Sequence, residues 1–537
     1  MLEWIPGVGS VVARATWVDW TVLVGGLGAL LYWLSTWTHD HFRRRGMPYA
    51  RPLPLVGSMG PVALGRKSLF DLMLHIYNEF EDQPAFGFFQ FMRPGLFIKD
   101  PELIKLVAVK YFEHFTDHQE IVSEKVEPLF GRSLLALKGQ EWQDMRATLS
   151  PAFTSSKMRF IFKLIDSCGA QMATFLEKKI ETSGATPYEM DMKDFFTRFA
   201  SDVIATSAFG IECDSMRQPD NEFYRMGRTL TNTKGVRTLI FLGYMFLPKL
   251  METLRIPFNS PQIRTFYHSL IHDTIKERQQ KGIFRPDMLQ LLMQAREGQL
   301  KAEAGDEQEN ISGAKLRKLT DQDMTSQAVI FFFAGFETVS TAMSYCAYAL
   351  ARHPEVQQRL QREVDETFEK NGGKLTYEAV QEAKYLDMFI SEVMRLYSAV
   401  PSLDRKCTKD FTIPAHGNVP AYTVRKGDSI WIPVIALHKD PKYWDDPETF
   451  NPERFSEENK PKIKPFTYMP FGVGPRICIG FRFALLEAKV ALAHILRHLT
   501  FRETAKTPKE VVYSPTDLSG VIKGGFWVGL APRAPRQ

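Results

Sequence analysis

The chain has 537 residues, of which 44% are apolar and 12% aromatic, which is enough for a large core built as one big domain or a few smaller ones. Its 67 basic and 62 acidic side chains leave a formal net charge of +5 without a dense basic tract, so nothing indicates binding to nucleic acid. Five scattered cysteines do not make a disulfide framework, which favours a reducing compartment and makes any special cysteine a ligand or a nucleophile. They are Cys168, Cys213, Cys346, Cys407 and Cys478.

The first predicted element is a membrane-spanning helix over residues 20–37, "WTVLVGGLGALLYWLSTW". This segment carries no charge, and as a helix it would span about 27 Å, close to the thickness of an endoplasmic reticulum bilayer. Tryptophans flank both of its ends, and Arg43–Arg45 follow on the C-terminal side. The positive-inside rule then places the rest of the chain in the cytosol. A cleaved signal peptide and a buried core helix are the alternatives for this segment.

This interpretation divides the chain into four segments. Residues 1–19 would lie in the lumen, and residues 20–42 would anchor a single-pass protein in the endoplasmic reticulum membrane. Residues 43–57 would form a basic, proline-rich linker, which its three prolines make stiff and extended. Residues 58–537 would form one large domain.

Helical patterns dominate this domain, and the strand-like pieces are short, so the predicted fold is mainly α with a minor β portion. The polar, aperiodic stretch 300–317 predicts a surface loop. Strand-like signals lie at 87–98, between 405 and 435, and at 510–530. Helical periodicity covers 99–110, 140–180, 188–208, 260–298, 321–352, 354–370 and 376–397.

The segment 238–250, "TLIFLGYMFLPKL", is strongly apolar but too short to span a bilayer as a helix. Two interpretations stay open for it. One is a core element, which is the commoner outcome for such a segment. The other is a patch that dips into the same membrane and admits apolar substrates.

Residues 328–350, "AVIFFFAGFETVSTAMSYCAYAL", are long enough to cross a membrane, but a central carboxylate, Glu337, makes a buried core helix the better interpretation. "TDQD" at 320–323 is a capping-box start, and Pro354 marks the stop. In "AGFET", Gly335 lets another group approach the backbone closely.

Glu337 and Thr338 place an acid beside an alcohol in the centre of this apolar helix. One interpretation is structural: the threonine bonds back to a carbonyl one turn earlier, and the glutamate is paired elsewhere. The other is a proton-delivery pair beside a reaction centre, because buried ionisable groups need a partner or a function.

The open loop "FGVGPRICIG", residues 471–480, surrounds Cys478. Glycine-rich backbone can aim N–H groups at a thiolate, which needs such donors in an apolar site. Glycines would also let the loop pack flat against a planar ligand, and Arg476 could pair with a carboxylate of that ligand. No CxxC motif or tight His/Cys cluster accompanies the loop, so a zinc site is not indicated. An axial thiolate under haem iron is the chemical type that remains, and a loop with an incidental cysteine is the alternative.

This loop resembles the haem-binding loop of the cytochrome P450 family, which runs Phe, two residues, Gly, one, Arg or His, one, Cys, one, Gly. The resemblance covers nearly the whole chain and implies that family's fold, one haem domain, with haem b (iron protoporphyrin IX) as the cofactor and the cysteine as the metal ligand. The matching residues, expected to bind the cofactor, are Phe471, Gly474, Arg476, Cys478 and Gly480.

Three further motifs resemble haem contacts of the family. In "GQEWQDMR", Trp142 and Arg146 lie four residues apart on one helix face, where the family contacts a haem propionate. Arg405, after "VPSLD", resembles the strand arginine that pairs with a propionate. "AGFET" resembles the oxygen-activation helix, with Ala334 and Gly335 beside the haem.

A supporting network is also implied by the resemblance. "SEVMRL" carries the family's Glu-x-x-Arg as Glu392 and Arg395. "PERF" follows downstream, and its Arg454 would complete a buried network of one glutamate and two arginines that supports the haem loop.

The implied reaction is a monooxygenase cycle in which Thr338 and Glu337 act as the catalytic pair that relays protons. Electrons would come from NADPH through NADPH-cytochrome P450 reductase, with cytochrome b5 as a further partner. The expected basic contacts for the acidic surface of the reductase are Lys138, Arg482 and Lys489.

The chain resembles insect microsomal enzymes allied to the vertebrate drug-metabolising branch, which implies lipophilic substrates from the bilayer, such as insecticides or plant toxins. A dedicated hydroxylase of an endogenous lipid, hormone or pheromone stays open. A haem-thiolate isomerase is disfavoured by the retained Thr338, and a membrane scaffold is disfavoured by the complete motifs. The expected lining of the substrate pocket is Phe112 to Leu129, Phe331, Ala334, Val400 to Leu403 and the turn around Leu518.

Overall fold

The computed structural model describes residues 16–119, 122–232, 235–246, 248–299, 315–517 and 519–533. Most of the predicted lumenal segment, most of the predicted loop 300–317 and Leu518 lie outside these residues. The described chain is mainly helical with a minor β portion, as the sequence predicts. Its α-helices are α1 (Trp17–Thr36), α2 (Gly60–Ala63), α3 (Leu69–Glu79), α4 (Pro101–Lys105), α5 (Pro128–Gly131), α6 (Gly139–Leu149), α7 (Ser155–Ser183), α8 (Met192–Ile204), α9 (Glu222–Thr231), α10 (Val236–Phe246), α11 (Pro248–Thr253), α12 (Pro261–Lys281), α13 (Met288–Arg296), α14 (Asp321–Arg352), α15 (Pro354–Lys370), α16 (Tyr377–Glu382), α17 (Lys384–Leu396), α18 (Val434–Leu437) and α19 (Phe481–His498).

The strands form small sheets, and the largest of these carries Arg405. Its order is β1-β2-β7-β4, with β2 and β7 parallel and the other neighbours antiparallel. Arg405 lies on β4 opposite Ile430 of β7. A second sheet has the order β3-β9-β8, and β5 pairs with β6. The strands are β1 (Ala85–Gln90), β2 (Arg93–Ile98), β3 (Tyr188–Asp191), β4 (Leu403–Lys406), β5 (Phe411–Ile413), β6 (Tyr422–Val424), β7 (Ser429–Ile432), β8 (Leu499–Arg502) and β9 (Trp527–Pro532).

Helix α14 runs through the core and has the predicted bounds, 321–352. Its 32 residues span about 48 Å. The Thr320 hydroxyl accepts from the Asp323 N–H at 3.1 Å, and the Asp323 carboxylate accepts from the Thr320 N–H at 3.0 Å, which forms the predicted capping box. Because most of its side chains are buried against α5, α8, α12 and α19, this apolar helix is a core helix.

Several predicted helical stretches are interrupted where the chain cannot continue a helix. The stretch 140–180 divides into α6 and α7 at a turn that contains Pro151. The stretch 260–298 divides after Gly282, which adopts a φ of +62°. Proline lacks the N–H that a helix needs, and a left-handed glycine ends the helical hydrogen-bond pattern. The predicted list also omits α3 and α19, and α19 begins directly after the cysteine loop.

Helix α1 is the apolar N-terminal segment, and it begins three residues before the predicted span at residue 20. Only 6% of the most apolar 18-residue stretch of α1 is buried inside the protein, whereas 61% of the corresponding stretch of α14 is buried. Its 20 residues are long enough to cross a bilayer. The two apolar helices therefore differ in surroundings, and α1 alone has the exposure of a membrane anchor.

The apolar segment 238–250 lies in α10 and α11, and its outer face is not core. Leu239 and Leu250 are 68% and 47% exposed, and the neighbouring Leu254 is 59% exposed. Tyr244 is buried on the inner face. The core interpretation is wrong for these outward-facing leucines, because each of them is exposed.

Candidate active site

The cysteine loop, residues 471–480, closes on itself before α19 begins. The Cys478 N–H donates to the Phe471 carbonyl at 2.8 Å. Gly472 and Gly474 adopt φ angles of +86° and +69°, where residues with a side chain are strained. These constraints give the loop a defined shape and fix the position from which the sulfur projects.

Gly474 is required by packing between two protein segments. A Cβ atom at this position would lie 2.1 Å from the carbonyl oxygen of Ala108, so no side chain fits. This backbone contact is sufficient to require a glycine here. At Gly480 the nearest atom to such a Cβ is Cε1 of Phe153, at 3.9 Å, so that end of the loop has room beside it.

The protonation of the Cys478 thiol depends on its surroundings. Its side chain is solvent-accessible although protein surrounds it. Burial raises the pKa of the Cys478 thiol, while a hydrogen bond from the Gly480 N–H and the charge of Arg146 act in the opposite direction. A metal cation at the sulfur would supply the positive charge that stabilises a thiolate there.

Helix α14 also presents accessible surface in its interior stretch. Ala334 is exposed although its neighbours along the helix are buried or half-buried. The Phe153 ring lies 5.3 Å from the ring of Phe331, and its edge is the protein group nearest to Gly480. The Phe153 ring therefore lies between the cysteine loop and α14, and we call the part of the protein between these two segments the interior region.

Arg476 is fixed by the backbone of other segments and by an aromatic ring. Its guanidinium carbon lies 4.0 Å from the centre of the Trp142 ring. Trp142 is itself buried and so contributes a flat surface that orients the arginine. The three nitrogens of Arg476 donate at 2.8, 3.3 and 2.9 Å to the carbonyls of Thr116, Leu134 and Leu137.

Arg405 and Arg146 hold the same loop by its backbone. Arg405 donates to the Val473 carbonyl at 3.0 Å and to the Asp404 carbonyl at 2.8 Å. Arg146 donates to the Ile477 carbonyl at 2.8 Å. The Nε of Arg405 is buried without a hydrogen-bond partner among the described residues. The structure therefore brings the three predicted arginines together.

These guanidinium groups give the region an excess of positive charge. Burial and then repulsion by Arg405 and Arg146 lower the pKa of Arg476 to about 9, against the attraction of Asp117 and Asp404. Burial lowers the pKa of Arg405 to about 10 although Asp404 opposes it. An anionic group such as the two carboxylates of a haem would relieve this repulsion. The donor set and the accessible sulfur fit a haem.

The predicted network of one glutamate and two arginines is formed. Arg395 donates to Glu392 from Nε at 2.7 Å and from Nη2 at 2.8 Å, and both side chains are fully buried. Arg454 Nε lies 3.4 Å from the same carboxylate, which also accepts from the Asn451 N–H at 2.8 Å. Arg395 further donates to the His438 carbonyl at 2.8 Å. The network ties α17 to the chain that leads into the cysteine loop.

On α14, the acid and the alcohol make the contacts of the structural interpretation. The Thr338 hydroxyl donates to the Ala334 carbonyl at 2.6 Å. The Glu337 carboxylate is paired with Lys193 of α8, with 2.8 Å between Oε2 and Nζ. Thr338 is half-buried and lies one turn from the exposed Ala334, so its hydroxyl borders the interior region.

Gly335 serves the packing of two helices. A Cβ atom there would lie 2.9 Å from Cδ1 of Ile204 on α8. The close approach that the sequence predicts is therefore made by a protein side chain.

Sequence reasoning did not find Lys193. A lysine followed by Thr197 four residues later puts two polar groups on one face of an otherwise largely apolar helix. That pattern alone does not indicate a role for the lysine, because its partner, Glu337, lies on a helix that is distant in sequence.

One predicted contact for a redox partner is wrong. The Lys489 side chain is 5% exposed and pairs with Asp387 at 3.0 Å, so it cannot meet another protein. Lys138 is exposed and Arg482 is half-buried.

Comparison with known proteins identifies relatives over almost the whole chain. A sequence model of the cytochrome P450 family matches residues 47–524. Cytochrome P450 9e2 of Blattella germanica is 47% identical over 96% of this chain and 98% of its own length. Probable cytochrome P450 9f2 of Drosophila melanogaster is 39% identical over 94% and 97%, respectively. Probable cytochrome P450 6a13 of the same organism is 37% identical over 92% and 94%.

Proposed function

The chain belongs to the cytochrome P450 family of monooxygenases, and from that premise we propose that it oxidises lipophilic xenobiotics such as insecticides or plant toxins. The exposed apolar surface of the protein is the observation that supports lipophilic substrates. Helix α1 has the length and exposure of an anchor, and Leu239, Leu250 and Leu254 are exposed beside the helices that connect α9 to α12. Apolar compounds concentrate in a bilayer, so a protein anchored there meets them at high local concentration.

Membership of the family implies a haem cofactor, and haem b is the type we propose. When bound, it supplies the activation of dioxygen. Cys478 would hold the haem iron through its sulfur, and Gly480 would leave room beside the sulfur. Arg146, Arg405 and Arg476 would bind the propionates.

The other named residues have supporting roles in this proposal. Trp142 orients the guanidinium of Arg476, and Phe471 would help to shield the sulfur from water once the haem is bound. Ala334, which is exposed in the middle of α14, would leave space for a planar group and a substrate. The network of Glu392, Arg395 and Arg454 would keep the loop in register.

Proton transfer is the chemistry that we assign to α14. Thr338 would hold a proton at its hydroxyl oxygen, and Glu337 would supply it as a general acid. The hydrogen bond from Thr338 to the Ala334 carbonyl and the ion pair of Glu337 with Lys193 are both compatible with this role. The Thr338 hydroxyl oxygen keeps its lone pairs for a further donor.

Electrons would come from NADPH through the membrane-bound reductase, with cytochrome b5 as a further partner. The face around the cysteine loop is the proposed docking surface, and Lys138 and Arg482 are its proposed basic contacts. The endoplasmic reticulum is the proposed location, with the domain after α1 in the cytosol.

The test is a substrate comparison with the full chain reconstituted with reductase and NADPH. We expect turnover of insecticides and plant toxins that exceeds turnover of fatty acids and ecdysteroid-like sterols. A single sterol, hormone or pheromone with a kcat/KM far above all xenobiotics would overturn the xenobiotic role. Rearrangement of organic peroxides without NADPH, as the sole activity, would indicate an isomerase.

A further inference from the structure

A small cavity lies between α7 and the chain segment 210–217, which follows α8. Its volume is about 20 Å³. That space holds one particle of the size of a water molecule or a metal ion, and it is too small for an organic ligand. None of the residues that line it belongs to the candidate active site. The cavity is therefore a separate place at which an ion could bind.

Four sulfur-bearing side chains line this cavity. Cys168 and Met172 lie four residues apart on α7, so their side chains share one face of that helix. Cys213 and Met216 reach the cavity from the segment 210–217. Two thiols and two thioethers thus converge from two parts of the chain on a space of the size of one ion.

The two thiols are available to a ligand. Neither cysteine forms a disulfide, and both are half-buried, so solvent reaches them. Neither thiol makes a hydrogen bond to the part of the chain that the structure describes. Burial, reinforced by the charge of Asp202, raises the pKa of Cys168 and of Cys213 to about 12. The two thiols and this carboxylate are therefore close neighbours.

Asp202 of α8 holds the segment 210–217 in place. Its Oδ1 and Oδ2 accept from the Ser215 N–H at 3.0 and 2.9 Å. Ser215 stands between the two sulfur residues of this segment, and its hydroxyl accepts from Nδ2 of Asn221 at 3.0 Å. Because both carboxylate oxygens are engaged by the backbone, Asp202 positions the sulfur donors and is not itself a ligand.

The four sulfurs determine which ion fits the cavity. Thiolates and thioethers are soft ligands that favour Cu(I), whereas Mg²⁺ and Ca²⁺ prefer oxygen. A structural zinc site takes four thiolate, imidazole or carboxylate ligands. Among the described residues, no group of three or more His, Cys, Asp or Glu side chains is arranged to hold a metal ion. Two thiols with two thioethers therefore fit a soft monovalent ion better than zinc.

We propose that this cavity binds one Cu(I) ion, with Cys168 and Cys213 as thiolate ligands. The thioethers of Met172 and Met216 complete its coordination. On binding, two S–H bonds are replaced by two S–Cu bonds, and two protons leave to solvent. Copper stays Cu(I), so no electron is transferred. The charge of Arg285, which acts on Cys168, opposes the negative charge of the two thiolates.

The test is a competition for copper between the purified full-length holoprotein and a coloured Cu(I) chelator, without oxygen and with ascorbate as the reductant. We expect one equivalent of Cu(I) to pass from the chelator to the protein. Cys168→Ser combined with Cys213→Ser should weaken binding about hundredfold or more, because a hydroxyl is a poor ligand for a soft ion. Met172→Leu and Met216→Leu should each weaken it about tenfold, because leucine keeps the packing but not the sulfur.

The matched control is Cys407→Ser. Cys407 is also buried, but its thiol donates to the Lys409 carbonyl at 3.1 Å and does not line the cavity. This variant should bind copper as the unsubstituted protein does. X-ray absorption at the copper edge should show sulfur neighbours only, and the Tm of the unsubstituted protein should rise as Cu(I) is added.

The outcomes separate the copper site from the proposed function. An unchanged copper affinity after loss of both thiols would overturn the site, as would nitrogen or oxygen neighbours at the copper edge. If serine at these positions prevents folding, the two methionine variants decide, and unchanged affinity in both would overturn the site. Binding is measured without NADPH or substrate, so absence of turnover would overturn the proposed function and leave the copper site standing.

Discussion

The cysteine-loop side and the α14 side of the candidate site are held in place by different forces. On the loop side, Arg476 donates to three carbonyls and Gly474 leaves no room for a Cβ. On the α14 side, packing is mainly apolar, and Gly335 contacts the flexible end of Ile204. Buried polar groups with several fixed partners permit one geometry, whereas apolar side chains can shift by small amounts. Substitutions on the loop side should therefore cost more than comparable ones on α14.

The largest effect is expected for Gly474→Ala. The new Cβ would meet the Ala108 carbonyl oxygen at 2.1 Å, and backbone cannot move away as a side chain can. We expect the haem-loaded fraction of purified protein to fall about tenfold or more, measured from the ratio of Soret to protein absorbance.

The control for this variant is Gly472→Ala. It has the same left-handed strain, with a φ of +86°, but its nearest neighbour would be 3.7 Å away. This variant should lose about 1–2 kcal/mol of folding stability, from backbone strain alone. Equal haem loss in both variants would mean that strain, and not the close contact, fixes the loop.

The next effect is that of Glu392→Gln. It removes a carboxylate from the fully buried pair with Arg395 and leaves a buried charge poorly compensated, which costs about 3–5 kcal/mol. Denaturant unfolding of the holoprotein measures the loss. Arg359→Gln, which breaks the exposed pair with Glu453, is the control and should cost less than about 1 kcal/mol. Similar losses would contradict the view that the buried network supports the loop.

A smaller effect is expected for Arg405→Gln. A charge-assisted hydrogen bond contributes about 1.5–3 kcal/mol, so transfer of haem to an excess of another haem-binding protein should become about tenfold to hundredfold faster. Lys406→Gln, which replaces the neighbouring strand residue on the opposite face of β4, should leave the transfer rate unchanged. Unchanged transfer in both would remove Arg405 from the proposed propionate site.

The smallest effect is expected for Gly335→Ala. The new methyl group would lie 2.9 Å from Cδ1 of Ile204. This terminal methyl group can move away by a small rotation of the isoleucine side chain. Alanine also gains about 1 kcal/mol of helix propensity over glycine, so the net change should stay within about 1 kcal/mol. Gly227→Ala, whose Cβ would meet the Phe332 ring at 2.2 Å, should cost clearly more in thermal unfolding. A large loss for Gly335→Ala would show that α14 is as rigid as the loop.

Features defined by local sequence were predicted from the chain alone. The bounds of α14 follow from its capping box and from Pro354, and the pairing of Glu392 with Arg395 follows from their spacing. The family was identified through the ten-residue cysteine loop, and the family match confirms it. Each of these signals lies within one stretch of chain.

Several features that depend on distant partners were not predicted, and those that were, such as the contact of Arg454 with Glu392, came from the family resemblance. The role of Gly335 requires Ile204, and that of Gly474 requires Ala108. Lys193 acquires its partner only when α8 packs on α14, and the buried Lys489 of α19 pairs with Asp387 of α17. Periodicity locates a helix face but does not identify what lies against it.

The central claim is that Cys478 is a thiolate ligand of haem, and the optical spectrum of the reduced protein with carbon monoxide tests it most directly. We predict a strongly red-shifted Soret band in the purified protein and its loss in Cys478→Ser, with Cys213→Ser unchanged. A Soret band at the position typical of a histidine ligand, or a red-shifted band that survives in Cys478→Ser, would contradict the account.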